Sequence, residues 1–252
     1  MAVAFRVLWA ALVHLYDESL LMIRANVIWF IGSLPLFLLV LATAWLFVPS
    51  GESDAGPIVW PLLLAGFLVL VVPSPFAVGL HALTAEIVTG ETPEFAVFWS
   101  AIRRWWKEGL AMFAIGGVVL GGLIFNAAFY LSTSTAWLQM ISVLCLYAIL
   151  YWITLQGYLL PLLVISDDGA DSGARHGVPL LSLYKRAAIL ALANPIFSLV
   201  LVLNSALTML LSVIAIPIYP IVAAGYVALV GARGLRQLRE KYLPSDAEEV
   251  AE

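Results

Sequence analysis

The side chains that could carry out chemistry in this sequence are few and lie far apart. A short acidic stretch from Asp167 to Asp171 lacks the full ligand series and the terminal glutamate of a calcium loop. The three histidines have no neighbouring cysteine or histidine at metal-ligand spacing; they are His14, His81 and His176. We therefore predict a protein that is not an enzyme, with no catalytic residue, no metal site and no cofactor.

One glycine-rich stretch comes nearest to a phosphate-binding loop. It reads Gly116-Gly117-Val118-Val119-Leu120-Gly121-Gly122 and lacks the Lys-Ser/Thr pair that such a loop requires. Gly117 and Gly121 instead form a GxxxG pair, which allows two membrane helices to approach closely. The partner helix is either in the same chain, which is the simpler interpretation, or in a second copy.

Amide side chains inside apolar stretches are the candidates for a polar interior. Buried in a helix bundle, they would hydrogen-bond between helices, and the alternative is that they line a cavity for a neutral solute such as a sugar. Tyr147, Tyr151 and Tyr158 are predicted to share one helix face and to add hydroxyls. The five amides are Asn26, Asn126, Gln156, Asn194 and Asn204.

Composition decides which elements hold these residues. Apolar residues make up 63% of the chain and charged residues only 11%, whereas a soluble domain has roughly a quarter charged residues. So few charges cannot provide a wetted surface, and we predict an integral membrane protein. The net charge of −4 gives no sign of nucleic-acid binding, and the single Cys145 excludes an intrachain disulfide.

Uncharged stretches locate six predicted transmembrane helices in three hairpins. The stretches Gly109–Ser166 and Ala187–Ala232 are each too long for one helix across about 30 Å of hydrocarbon. Each must fold back, the first at Ser132–Thr135 and the second near Leu211–Ile216. The runs are apolar on all sides, unlike alternating barrel strands. The predicted spans are 25–48, 57–80, 109–131, 137–164, 187–209 and 216–233.

The basic residues predict the orientation of these helices. All 12 Lys and Arg residues fall on the same side of the six predicted spans. Positive charge accumulates in cytoplasmic loops, so we predict that both termini are cytoplasmic and that the protein lies in the plasma membrane.

The two ends of the chain differ in character. Residues 2–22 are predicted to form an interfacial helix with Arg6, His14 and Glu18 on its polar face. Residues 243–252 are acidic and poor in apolar side chains, which predicts a disordered tail. The rest, 1–242, is predicted to be one transmembrane domain.

The predicted cytoplasmic segment between spans two and three combines tryptophan with basic residues. A turn at Gly90–Glu94 precedes it, where Thr92 or Glu94 would cap the following helix. Anchoring in the lipid headgroups is the favoured interpretation, and a partner-binding surface is the alternative. The residues are Trp99, Arg103, Arg104, Trp105, Trp106 and Lys107.

Three passages resemble the YesL-like family of bacterial inner-membrane proteins. They run from Asn26 to Pro35, from Val72 through Gly90-Glu91 to Trp99, and from Leu183 to Pro195. The resemblance extends over most of the chain. It implies an auxiliary role in carbohydrate uptake, because members often accompany genes for sugar-uptake transporters and polysaccharide breakdown. It brings no established catalytic or binding residues.

Two functions follow from these observations. The first is a non-catalytic accessory or scaffold that binds transporter subunits through its cytoplasmic segments. The second is a small carrier or channel for a neutral solute, formed by self-association. The predicted spans hold no ionisable residue in their apolar interior, which argues against ion-coupled transport. The expected partners are the lipid bilayer and either transporter subunits or a second copy.

Overall fold

A computed structural model describes residues 2–45, 69, 72–168, 179–215 and 218–242. Of these described residues 92% are helical, so the predicted all-helical class is confirmed. A π-helical segment, Tyr219–Ala223, leads directly into the last helix. The helices are α1 (Ala2–Asp17), α2 (Ser19–Trp45), α3 (Pro75–Thr89), α4 (Phe95–Leu131), α5 (Ala136–Asp168), α6 (Leu180–Ala193), α7 (Pro195–Ile214) and α8 (Ala224–Tyr242).

Four of these helices are long and apolar enough to cross a membrane. They lie within α2, α4, α5 and α7, over Ser19–Ala42, Phe95–Leu131, Ala136–Ile165 and Pro195–Ser212. The predicted spans 109–131 and 137–164 lie within α4 and α5. The short connection at residues 132–135 joins these two helices where the sequence predicted a turn.

The predicted helix over 57–80 is interrupted in its last part. Val72, Pro73 and Ser74 are not helical, and α3 begins at Pro75. Proline suits the first turn of a helix because its missing N–H would be unpaired there. The Ser74 hydroxyl oxygen accepts a hydrogen bond from the Ala77 N–H at 3.2 Å and caps the new helix. Nearly all of the preceding part of this span lies outside the described residues.

The predicted helix over 187–209 is also broken, at Asn194. Helix α6 starts earlier than predicted, and α7 begins at Pro195 after a residue with φ −132° and ψ 61°. The proline ring removes a backbone donor and clashes with the preceding turn, so a continuous helix is unfavourable. The end of α7 at Ile214 lies within the predicted turn. The predicted helix 216–233 corresponds to the π-helical segment and α8, which continues to Tyr242.

The first two helices divide at a different point from the predicted one. Helix α1 ends at Asp17 and α2 begins at Ser19. The first helix is therefore shorter than the interfacial helix predicted over residues 2–22, and the apolar stretch of α2 that could cross a membrane begins at Ser19 and not at residue 25. Residues 46–48 of that span and the predicted tail 243–252 lie outside the described residues.

The segment between α3 and α4 continues into a long, kinked helix. Gly90 has φ 84°, a left-handed conformation that glycine adopts without strain, and it ends α3. Glu94 lies at the N-cap of α4, but its side chain makes no capping hydrogen bond, contrary to the predicted cap. Trp105 interrupts α4 with φ −117° and ψ 21°. The predicted cytoplasmic helix and the third span are therefore two parts of one kinked helix.

Helix α3 lies at the centre of the packed core. It contacts α2, α4, α5 and α8, and buried residues lie on more than one of its faces. Two glycines allow its close approach to α4. A Cβ atom at Gly79 would lie 2.9 Å from the Phe98 carbonyl oxygen, and one at Gly109 would lie 2.9 Å from Pro75 Cα.

The core is concentrated at one end of the helices. We call this region, made of α1, α3, the first half of α4, the last half of α5 and α8, the packed end. The opposite halves of α4 and α5 expose large apolar side chains, with Val118, Met140 and Leu144 at 76%, 72% and 68% exposure. Such a surface is unfavourable in water, and a lipid environment matches it.

Candidate functional site: polar interior and cavity

Asn26 links α2 to the chain just after the π-helical segment. Its Nδ2 donates to the Met22 carbonyl at 2.8 Å, and its Oδ1 accepts from the Gly225 N–H at 2.7 Å. A Cβ atom on residue 225 would lie 2.3 Å from Asn26 Nδ2, so only glycine fits this contact. Asn26 therefore makes the interhelical hydrogen bond that the sequence suggested for the amides.

The other asparagines are used differently. Asn204 Oδ1 accepts from the Tyr226 hydroxyl at 3.2 Å, which joins α7 to α8, while its Nδ2 is buried without a hydrogen bond. Asn126 donates to the Gly122 carbonyl of its own helix, and Asn194, at the break after α6, donates to the Leu190 carbonyl of α6. Asn126 is exposed on α4, so it faces away from the interior.

Gln156 is the centre of a buried polar cluster. It is 2% exposed. Its amide lies close enough to the Tyr184 hydroxyl to interact with it, but among the described residues neither amide atom makes a hydrogen bond of ordinary geometry. A Cβ atom on Gly116 would lie 2.8 Å from Gln156 Nε2. Trp152 donates from Nε1 to the Gly116 carbonyl at 3.2 Å and stacks on Tyr184 with ring centroids 5.7 Å apart. We call Gly116, Trp152, Gln156 and Tyr184 the Gln156 cluster.

Three tyrosines were predicted to share one face of a helix, and two of them join α5 to the helices that follow it. The Tyr158 hydroxyl lies 2.9 Å from Ser198 Oγ, and the Tyr151 hydroxyl donates to the Ala188 carbonyl at 3.2 Å. Tyr147 does not share their surroundings, because it is 68% exposed. The polar face predicted for this helix is therefore shorter than the sequence indicated.

The GxxxG pair lies on an open face of α4. No described atom lies within 4 Å of a Cβ atom built on Gly117 or Gly121. The glycine that packs within the chain is their neighbour Gly116, on the buried face with Met112 and Leu120. The helical period places residues 117 and 121 away from that face. Among the described residues, the GxxxG pair therefore does not pack against another helix of the same chain, which was the simpler interpretation.

The histidines do not form a site with one another. His81 is partly buried where α3 meets α5 and α8, and its Cε1 would lie 3.4 Å from a Cβ atom on Gly231. Burial lowers the pKa of His81 to about 3, so the ring is neutral near pH 7. His14 on α1 contacts Arg233 on α8 through its Nε2. Its pKa is lowered by burial and by the Arg233 charge.

Metal binding has no support among the residues that the structure describes. They contain no group of three or more His, Cys, Asp or Glu side chains that could hold an ion. His176 and Asp171 lie outside the described residues, so the predicted absence of a site in that loop stays a prediction.

The tryptophans and basic residues of α4 form an exposed surface at the packed end. Trp99 and Trp106 are 39% and 48% exposed, and Arg103 and Lys107 are also exposed. The Lys107 ammonium lies 5.8 Å from the Trp106 ring centroid. We call these four residues the α4 surface. Trp105 differs from them because it is half-buried at the kink, with the Arg104 guanidinium 5.0 Å from its ring centroid.

A cavity of about 280 Å³ lies beside the α4 surface, between α3, α4 and α5. Its apolar wall consists of small and branched side chains, Ala82, Ala85, Val97, Ala101 and Val164. Its polar lining consists of Glu86, Thr89, Glu91, Ser100, Arg104 and Trp105. Among the lining residues, only Arg104 and Trp105 were candidate site residues from the sequence. The packing of α3 against α4 produces no periodic pattern in the sequence, so the other lining residues could not be predicted.

Basic residues from distant parts of the sequence meet at the packed end. The Arg24 guanidinium lies 4.1 Å from the Phe95 ring centroid, which joins α2 to α4. Arg236 donates from Nη1 to the Val88 carbonyl and joins α8 to α3. Together with the contact between His14 and Arg233, these interactions place three basic regions of the sequence at one end of the molecule.

No protein-family model, curated protein sequence or solved structure matches this chain.

Proposed function

We propose that this protein is a non-catalytic membrane accessory protein that holds a partner complex at the packed end. The α4 surface carries this proposal. Exposed tryptophan and arginine are typical of sites where binding energy is concentrated in protein interfaces. Here they stand on a helix whose buried face is fixed by Gly79 and Gly109 against α3, so the surface is presented on a rigid support.

The proposed orientation places the packed end in the cytoplasm. Basic residues near both termini and on α4 meet there, which supports the positive-inside arrangement with both ends of the chain inside. Four of the described helices are long and apolar enough to cross the membrane. A total of six crossings therefore needs one more from the residues before Val72 and one more from the π-helical segment with α8. In this arrangement the α4 surface faces cytoplasmic subunits and lipid headgroups.

The nature of the partner comes from the resemblance to the YesL-like family. We propose the membrane subunits of a sugar-uptake transporter, with the chain in the bacterial plasma membrane. Auxiliary binding is consistent with an interior whose polar groups mainly join helices, as Asn26 and Tyr158 do. The cavity beside the α4 surface is lined by neither Gln156 nor Asn126.

Co-purification tests this proposal. The full chain would be extracted in mild detergent from its native host, and the permease subunits that accompany it would be quantified by mass spectrometry. We expect sugar-transporter permease subunits at a constant ratio to the chain. Replacing both tryptophans of the α4 surface, Trp99→Ser with Trp106→Ser, should remove the permease subunits because the α4 surface loses its apolar contacts.

A matched variant separates this surface from exposed tryptophan in general. Trp137→Ser removes a side chain that is 64% exposed at the other end of the bundle, and it should leave the permease ratio unchanged. Equal recovery of permease subunits with the Trp99/Trp106 variant would contradict the proposed surface. Their absence from the wild-type preparation would contradict the accessory function.

The Gln156 cluster favours one second function, passage of a neutral solute. Buried amide and hydroxyl groups without partners are unfavourable unless something else pairs with them, and a sugar hydroxyl is a suitable partner. Liposomes containing only this protein would be assayed for uptake of labelled mono- and disaccharides. Uptake that Gln156→Leu abolishes would establish a carrier and overturn a purely accessory role.

A further inference from the structure

The cavity beside the α4 surface has the chemistry of a site for an alkyl cation. Its lining combines apolar side chains, among them Ala85, Val97 and Ala101, with polar side chains that include Glu86 and Glu91. A volume of about 280 Å³ is at the lower end of the range for ligand pockets. It suits one long side chain better than a large cofactor.

The hydroxyls of the lining add acceptors to this polar part. Thr89 donates its hydroxyl proton to the Glu86 carbonyl at 2.9 Å, and Ser100 donates to the Val97 carbonyl at 2.9 Å. Because both protons are used within their own helices, the two oxygens are left with lone pairs that can accept. A ligand therefore meets acceptors from both α3 and α4.

Charge points in the same direction. The lining holds two carboxylates, Glu86 and Glu91, and one guanidinium, Arg104, so it carries a formal excess of one negative charge. Glu86 and Arg104 each take part in a further interaction within the chain. A carboxylate offers about four lone-pair sites, so an internal partner of Glu86 leaves room for another donor.

We propose that this cavity receives a lysine side chain of the docking partner, with the methylenes on the apolar wall and the ammonium at Glu86 and Glu91. The inference rests on the proposed docking function, and it names the chemistry that the partner must present. The kink at Trp105 matters here because it places the indole in the lining while the α4 surface stays outside.

The experiment measures binding of a lysine probe to the full chain in detergent by ligand-observed NMR. Nα-acetyl-lysine methylamide should bind with a Kd on the order of 1 mM, and the uncharged Nα-acetyl-norleucine methylamide should bind at least about tenfold more weakly. Equal binding of the two probes, or stronger binding of Nα-acetyl-glutamate methylamide, would overturn the proposal.

Three variants assign that binding to the cavity. Glu86→Gln with Glu91→Gln should weaken the lysine probe about tenfold, whereas Glu94→Gln, the same charge change outside the lining, should not. Arg104→Gln should strengthen binding because it removes the opposing charge, and a cavity built for an anion would respond in the opposite direction. Unchanged thermal unfolding of each variant excludes loss of fold as the cause.

Co-purification with these variants separates the two proposals. Loss of permease subunits with Glu86→Gln and Glu91→Gln, but not with Glu94→Gln, is the expected result. Retention of the subunits with both carboxylates changed overturns the cavity proposal and leaves the accessory function standing. If the lysine probe binds but no permease subunits co-purify with the wild-type chain, the accessory function is overturned. The ligand of the cavity is then a free alkylamine.

Discussion

At the scale of single residues, identical side chains have opposite surroundings. Asn26 is fully buried and accepts the Gly225 N–H, whereas Asn126 is exposed on α4 and bonds only to its own helix. Both asparagines lie inside apolar stretches of the sequence, so hydropathy does not distinguish them. Only the packing of α2 against the start of α8 decides which amide becomes an interhelical link.

We expect Asn26→Leu to lower the free energy of unfolding by about 1–3 kcal/mol, because the Gly225 N–H is left buried without an acceptor. Thermal and denaturant unfolding in detergent would measure it. Asn126→Leu is the control, since among the described residues its side chain bonds only to the Gly122 carbonyl of its own helix. A loss of stability as large in the Asn126 variant would contradict the role given to Asn26.

His81 should make stability depend on pH. Its pKa is about 3 in the folded chain and 6.5 as its ordinary value. The unfolded chain therefore binds a proton between these values while the folded chain does not. The stabilisation is complete above pH 6.5 and is lost as the pH falls, by about 2 kcal/mol at pH 5.

Unfolding measured from pH 7.5 to pH 5 checks this expectation. His81→Leu should flatten that part of the profile, because leucine takes up no proton and fills a similar apolar space. His176→Gln, which changes a histidine elsewhere in the sequence, should keep the wild-type slope. A wild-type slope in the His81 variant would refute the assignment.

At the scale of helices, hydropathy predicted long α-helices and missed their interruptions. The uncharged runs correctly indicated α4 and α5 with a turn at residues 132–135. The breaks at Ser74 and Asn194 come from prolines whose effect depends on packing, because Pro35 and Pro161 remain inside continuous helices. Whether a proline bends, starts or ends a helix is set by the neighbours that pair with the freed backbone.

The glycines of α4 give a prediction for helix packing. Gly109→Ala should destabilise the fold by about 1–3 kcal/mol, because the new methyl group meets the Pro75 backbone. Gly117→Ala meets open space and should be neutral, or stabilising by up to about 1 kcal/mol from helix propensity. Paired thermal unfolding curves decide it, and equal effects of the two substitutions would refute the α3–α4 packing described above.

At the scale of the whole molecule, the sequence and the structure agree on an apolar, helical protein with helices long enough to cross a membrane. Composition predicted the class, and the basic residues predicted that distant segments share one side. Composition could not predict that the core gathers at the packed end or that a cavity opens there, since both depend on α3 docking between α4, α5 and α8. That docking uses glycine contacts and backbone breaks, which carry no hydropathy signal.

Labelling of single cysteines checks the orientation. In a Cys145→Ser background, Ser134→Cys should react with a membrane-impermeant thiol reagent in intact cells. Arg6→Cys, Glu91→Cys and Glu240→Cys should react only after permeabilisation, because all three lie at the basic end that we place in the cytoplasm. Labelling of Glu240→Cys but not of Arg6→Cys in intact cells would show that the chain crosses the membrane an odd number of times.

The π-helical segment Tyr219–Ala223 has a consequence for how this chain tolerates changes in length. A π turn holds one residue more than an α turn, and removing a residue there would rotate everything beyond it by about 100°. Gly231 would leave His81, and Arg233 would leave His14. A one-residue deletion in the π-helical segment would make it a regular α-helix but would misalign both contacts. A one-residue insertion in α8 before Gly231 would also misalign them. The irregular turn acts as a spacer that keeps α8 in register with α1 and α3.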